Sequence, residues 1–120
     1  MKVIVTSMGG SLDSQVDPRF GRASTFLLVD TDTGETTSVD NTAGTNAAQG
    51  AGIQAAETVS RLGAACLITG HCGPKAFRAL QAAGVEIYTG ASGTVEEALS
   101  QFRTGKLQLS TAPDVGGHWG

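Results

Sequence analysis

The chain has little of what small proteins usually use to build metal sites or covalent staples. It holds two cysteines, Cys66 and Cys72, and two histidines, His71 and His118, in 120 residues. No CxxC, no HExxH and no four-ligand zinc spacing occurs, which argues against a metal site made of protein ligands alone. One disulfide is arithmetically available, but residues 1–7 turn polar after Val3, Ile4 and Val5 and do not read as a secretory leader. Reduced thiols and a cytoplasmic protein are the expectation. No apolar run approaches the roughly 18 residues of a membrane span. Basic residues are scarce as well: 8 Lys and Arg face 11 Asp and Glu, for a net charge of −3. A general nucleic-acid binder would need a basic stripe to neutralise phosphates, so that class is set aside.

Catalytic patterns are missing too. There is no GxSxG elbow and no Ser-His-Asp spacing. Asp13, Asp17, Asp30 and Asp40 are scattered through loops and a hairpin. They do not converge at strand ends, as a two-metal nuclease requires. The residues favour binding over turnover, so the chain is expected not to be an enzyme.

What is present is glycine, 17 residues of it, set between short apolar segments. Residues 2–6 read as a buried strand, because β-branched residues run together there. Residues 7–22 form a long glycine-containing loop, of a length usually functional or mobile. Strands at 24–31 and 35–40 flank Asp32-Thr33-Gly34, a hairpin signal. A helix follows from Thr45, with Asn46 as a cap, Ile53, Ala56, Val59 and Leu62 on one face, and Gly63 as its stop. Residues 65–69 form a buried strand. Gly70-His71-Cys72-Gly73 turns into a helix with Pro74 at its first position and Phe77, Leu80 and Ala83 inward. A strand at 85–88 leads to Thr94-Val95-Glu96-Glu97, a capping box for a helix with Val95, Ala98, Leu99 and Phe102 inward. The reading is one α/β domain over residues 1–108, with a five-stranded mixed sheet, one antiparallel strand and helices on both faces. Residues 109–120 are expected to form a flexible tail.

In open α/β sheets ligands bind beyond the carboxyl ends of strands, where the chain order reverses. If the strands at 2–6 and 65–69 are neighbours, the loops 7–22 and 70–73 face one crevice. The second loop opens a helix, where free N–H groups favour an anion. Lys75 and a protonated His71 would add positive charge, although a plain β–α turn needs the same glycines. The string at 70–75 is neither a Walker A loop nor GxGxxG. Cys72 at this turn reads as a nucleophile of lowered pKa, a soft-metal ligand or a bland loop residue. As sequence neighbours, His71 and Cys72 tend to point apart and make a poor dyad. Arg19 and Arg22 flank Phe20-Gly21 in the first loop, and their planar guanidiniums suit an oxyanion or a sulfide-rich anion. Met8 is a soft contact or core filler, and Cys66 a small buried apolar residue. His118 and Trp119 either belong to a free tail or fold back as a ligand and an apolar cover. Three functional classes stay open on the residues alone. They are an anion or cluster binder, a small-molecule hydrolase or thiol-dependent enzyme using Cys72 and His71, and a nucleotide-binding regulatory module using the helix start at Pro74.

Several strings taken together carry a resemblance. They are Arg19-Phe20-Gly21-Arg22-Ala23 leading into Phe26, then Asn41, then Ile68-Thr69-Gly70-x-x-Gly73, Tyr88, Thr94-Val95-Glu96-Glu97-Ala98-Leu99 and Gly105-Lys106-Leu107. Over about residues 1–108 the chain resembles the dinitrogenase iron–molybdenum cofactor biosynthesis family. The resemblance implies a ribonuclease-H-like fold and the non-catalytic binding and carrying of a preformed metal–sulfur cluster. Small single-domain members hold a molybdenum–copper sulfide cluster without ordinary covalent protein ligation; others handle iron–molybdenum–sulfur clusters. The chain carries no radical-SAM segment, so a stand-alone carrier is implied, with cluster donor and acceptor proteins as partners and no role for nucleic acid or membrane. Residue by residue, the resemblance puts the cofactor site at Met8, Gly9, Arg19, Phe20, Gly21, Arg22, His71, Cys72, Gly73 and Lys75, with Asn41 at the hairpin exit as a further candidate. Cys72, His71 and His118 are the candidate metal ligands. A cluster that brings its own sulfurs needs N–H donors, cations and apolar walls more than it needs four cysteines.

Overall fold

The computed structural model describes residues 1–42 and 50–112. Its elements in chain order are β1 (Lys2–Ser7), β2 (Thr25–Asp30), β3 (Thr36–Asp40), α1 (Ala51–Arg61), β4 (Cys66–Ile68), α2 (Pro74–Ala82), β5 (Glu86–Thr89), α3 (Val95–Arg103) and β6 (Gln108–Leu109). The strands form one sheet in the order β3-β2-β1-β4-β5-β6. β1, β4 and β5 run parallel, whereas β2 lies antiparallel to β1 and β6 antiparallel to β5.

The alternation of side chains along β1 explains why it is central. Ile4 points into one cluster, with Ala55 and Val59 of α1 and Phe77 and Leu80 of α2. Val3 and Val5 point into the other, with Val95, Ala98 and Leu99 of α3. A strand covered on both faces needs an unbroken apolar run, and β1 supplies one. Helices therefore pack on both faces, as expected.

Four expectations are corrected among the described residues. The sheet has six strands rather than five. The extra one, β6, lies where sequence reading began a mobile tail: Leu109 pairs with Tyr88 and Gln108 with Thr89. Two residues of ladder leave no periodic signal, and their arrival gives the sheet a second antiparallel strand. Ile53 is 40% exposed rather than inward, because the buried side of α1 is made by Ala51, Gly52, Ala55, Ala56, Thr58 and Val59. Ala83 is exposed as well, since α2 has already ended at Ala82 and the inward face is Ala76, Phe77 and Leu80. The helix start at Thr45 and the Asn46 cap lie outside the described residues, as do His118 and Trp119. The described helix opens at Ala51 behind Gly50, which has φ +70°. The capping box of α3 is present as read: Glu97 N–H donates to the Thr94 hydroxyl, and Thr94 N–H to the Glu97 carboxylate.

Candidate functional site

β1 and β4 are paired in parallel, Val3 to Cys66 through Val5 to Ile68. The chain leaves β1 toward β2 on one side and returns to β4 on the other, so the reversal of strand order falls between them. The loops 7–22 and 70–73 both leave from this end.

The first loop is built. Its near half is laced to the start of α3: Val16 N–H donates to Gly93 O at 2.9 Å, and Ser14 O and Leu12 O accept from Val95 N–H at 2.9 Å and Glu96 N–H at 3.0 Å. Its far half is laced to the second loop. His71 N–H donates to Pro18 O at 2.8 Å and Phe20 N–H to His71 O at 3.3 Å. These bonds make Arg19 and His71 a parallel bridge. The approach is close because Gly70 has no side chain; a Cβ there would lie 2.7 Å from Pro18 Cα. Below the seam the Thr6 hydroxyl donates to Asp17 O at 2.7 Å and lies 2.9 Å from the Thr69 hydroxyl, with both threonines fully buried.

Asp17 is the residue that sequence reasoning missed. In the sequence it is one of several scattered carboxylates. It is 4% exposed, accepts Arg19 N–H at 3.0 Å and lies 3.6 Å from Arg19 Nε, so it sets the direction of that side chain. The Asp-Pro-x string carried the signal, since an Asp side chain commonly accepts the N–H two residues on.

The expected site residues separate into groups. Arg19 and Arg22 reach solvent on the first loop, and Lys75 is exposed on the first turn of α2. His71 is half-buried at the seam. Cys72 is 1% exposed, its Sγ 3.8 Å from Gly73 O, and belongs to the core cluster. Phe20 is fully buried and stacks on Phe26 with ring centroids 5.9 Å apart, so its ring supports the loop from below and does not line the crevice. Gly21 presses on α1, where a Cβ would meet Gly52 N at 2.8 Å. Asn41 is buried and donates to the Gly21 and Ala23 carbonyls. Gly9 lies in a turn closed by the Ser7 hydroxyl at 2.6 Å. Met8 stands 57% exposed, outside the core.

The donor set is one for an anion. The Gly73 cap of α2 makes no side-chain bond and the first turn holds no acidic residue. Among the described residues nothing accepts from the amides of Gly73, Lys75 or Ala76; the first amide bonded there is that of Phe77, to Gly73 O at 2.9 Å. By contrast, the start of α3 carries Glu96, Glu97 and a full capping box. Open amides, a positive helix end and nearby cations suit a negative group. Among the described residues no group of three or more His, Cys, Asp or Glu is placed to hold a metal ion.

The chain is similar to several known proteins. The orange protein from Desulfovibrio gigas, in its apo form, is 43% identical, with 95% of this chain and 96% of that one covered at a TM-score of 0.92. A NifB-like protein from Thermotoga is 36% identical, covering 97% and 98% at a TM-score of 0.84. An uncharacterized Methanocaldococcus jannaschii protein is 28% identical over 99 residues, 80% of this chain and 83% of that one. The family model described as dinitrogenase iron-molybdenum cofactor matches residues 1–105. The chain belongs to the dinitrogenase iron–molybdenum cofactor family.

Proposed function

We propose that this protein binds and carries a preformed anionic metal–sulfur cluster, without turning over a substrate, in the crevice between the loops 7–22 and 70–73. The observation that carries the reading is the open start of α2. Amides without acceptors among the described residues stand there beside a seam that also holds Arg19 and His71. Arg22 and Lys75 reach solvent from the two segments that meet there. The cluster is the cargo and brings its own sulfide ligands. The protein contributes N–H donors and cations, and the cargo we favour is a molybdenum–copper sulfide, with an iron–molybdenum–sulfur cluster as the alternative. Proteins that supply or receive the cluster are the proposed partners. Neither Cys66 nor Cys72 forms a disulfide, in keeping with the reducing cytoplasm in which we place the chain.

Cys72 as a nucleophile would have to leave the core, and that weakens the enzyme reading. The test is uptake of tetrathiomolybdate with Cu(I), followed by visible absorption. Replacing Arg19 and Arg22 together by Ala should weaken retention about tenfold or more, on the scale of hydrogen bonds to charged groups. Unchanged retention in the double variant would remove the arginines from the site. A thermal shift with ATP and none with thiomolybdate would favour the nucleotide module.

A further inference from the structure

We infer that Asn41 is a positioning residue of this site: its carboxamide does not touch the cargo but fixes the direction in which the Arg22 peptide leaves the loop. The inference rests on the anion-binding reading above. Asn41 directly follows β3, is 1% exposed, and extends the β2–β3 ladder through its own N–H to Ser24 O at 3.1 Å. Its Nδ2 donates to Ala23 O at 2.7 Å and to Gly21 O at 3.3 Å. Turning the amide over would set Oδ1 against two carbonyl oxygens, so the donors must face the loop. Oδ1 is then left buried with no donor among the described residues.

That orphan is informative. A side chain kept for volume alone would be apolar and would leave no buried acceptor unpaired. The two donors are what the position uses. All described peptide bonds are trans, and in a trans peptide the C=O of one residue and the N–H of the next point opposite ways. Holding the Gly21 carbonyl toward Asn41 therefore turns the Arg22 N–H away from it. Gly21 cannot give way on its other side, because a Cβ there would lie 2.8 Å from Gly52 N. The loop is wedged between α1 and Asn41, and Arg22 is the exposed residue that emerges from the wedge.

The test is Asn41→Leu, which keeps the volume and deletes both donors together with the orphan acceptor. The cargo-free variant should show a displaced Arg22 amide resonance. Its dissociation constant for tetrathiomolybdate with Cu(I) should rise at least fivefold. Adding Arg22→Ala should then weaken binding far less than Arg22→Ala does in the wild type, because the arginine has already lost its aim. Should Asn41→Leu fail to fold, Asn41→Ala is read against Val59→Ala, a core truncation that lowers stability and should leave affinity unchanged. Two results overturn the inference while leaving the cluster reading intact: wild-type affinity in the Asn41 variant, or losses that simply multiply when the two substitutions are combined. A wild-type protein that takes up no thiomolybdate overturns both.

Discussion

At the scale of single residues the seam is held by close fits that substitutions should expose. Gly70→Ala would drive a Cβ to 2.7 Å from Pro18 Cα and 2.8 Å from Pro18 O, both backbone atoms. Relief requires the two loops to part, at about 1–3 kcal/mol. Urea unfolding should show that loss, and cluster retention should fall with it. Phe20 is a different case. It sits in the Arg-Phe-Gly-Arg string, and the family resemblance implies a place for it in the site. Its ring is instead core, and Phe20→Ala should cost about 3–5 kcal/mol as a plain cavity. Sequence order shows which residues share a loop, but not which side of the loop each one faces. The same limit explains Asp17, whose backbone carbonyl accepts from the Thr6 hydroxyl of β1, beside Thr69 beyond β4. The thiols supply a further check. Cys72 is 1% and Cys66 2% exposed, and burial, with the Glu86 carboxylate beside it, pushes the Cys66 thiol above its ordinary value. Iodoacetamide should alkylate both slowly in the native protein and rapidly in urea. Fast native alkylation at Cys72 would return that thiol to the crevice and revive the nucleophile reading.

The starts of α2 and α3 are the most legible features at the scale of elements. Thr94-Val95-Glu96-Glu97 announced a capping box, and α3 has one. The Thr94 backbone N–H, then its hydroxyl, hold the Glu97 carboxyl below its ordinary value of 4.5. A lowered folded value means the charged form stabilises the helix above that ordinary value. The contribution then fades as pH falls through the lowered one. Glu97→Gln should thus melt below the wild type at neutral pH, and the gap should close well below pH 4.5. Thr94→Ala removes the cap itself and should cost about 1 kcal/mol at any pH where the protein folds. Pro74 likewise opens α2 as its type predicts. Elements of two residues are the least legible. β6 is fixed by backbone bonds to β5, such as Ser110 N–H to Ile87 O at 2.8 Å, and such pairing leaves no mark in the side-chain pattern.

For the molecule as a whole, the informative contrast is between its helix starts. α3 closes its own N-terminus with the Thr94–Glu97 capping box and carries Glu96 in its first turn; α2 has first-turn amides with no acceptor among the described residues, beside a seam that joins two loops. The pairing of β1 with β4 is one of the few arrangements that a buried β-branched run, a hairpin and two β–α units admit, whereas the place of β6 is not legible in the chain. What a crevice holds is not written in such patterns when the cargo supplies its own ligands, because no cysteine or histidine spacing is then required. The account is therefore tested most directly by loading. The purified protein is incubated without oxygen with tetrathiomolybdate and Cu(I), passed through a desalting column, and assayed for visible absorption, Mo, Cu and sulfide. The account predicts a coloured protein with metal and sulfide in fixed ratio, and loss of that colour in the Arg19→Ala, Arg22→Ala double variant. A colourless protein free of molybdenum would contradict it.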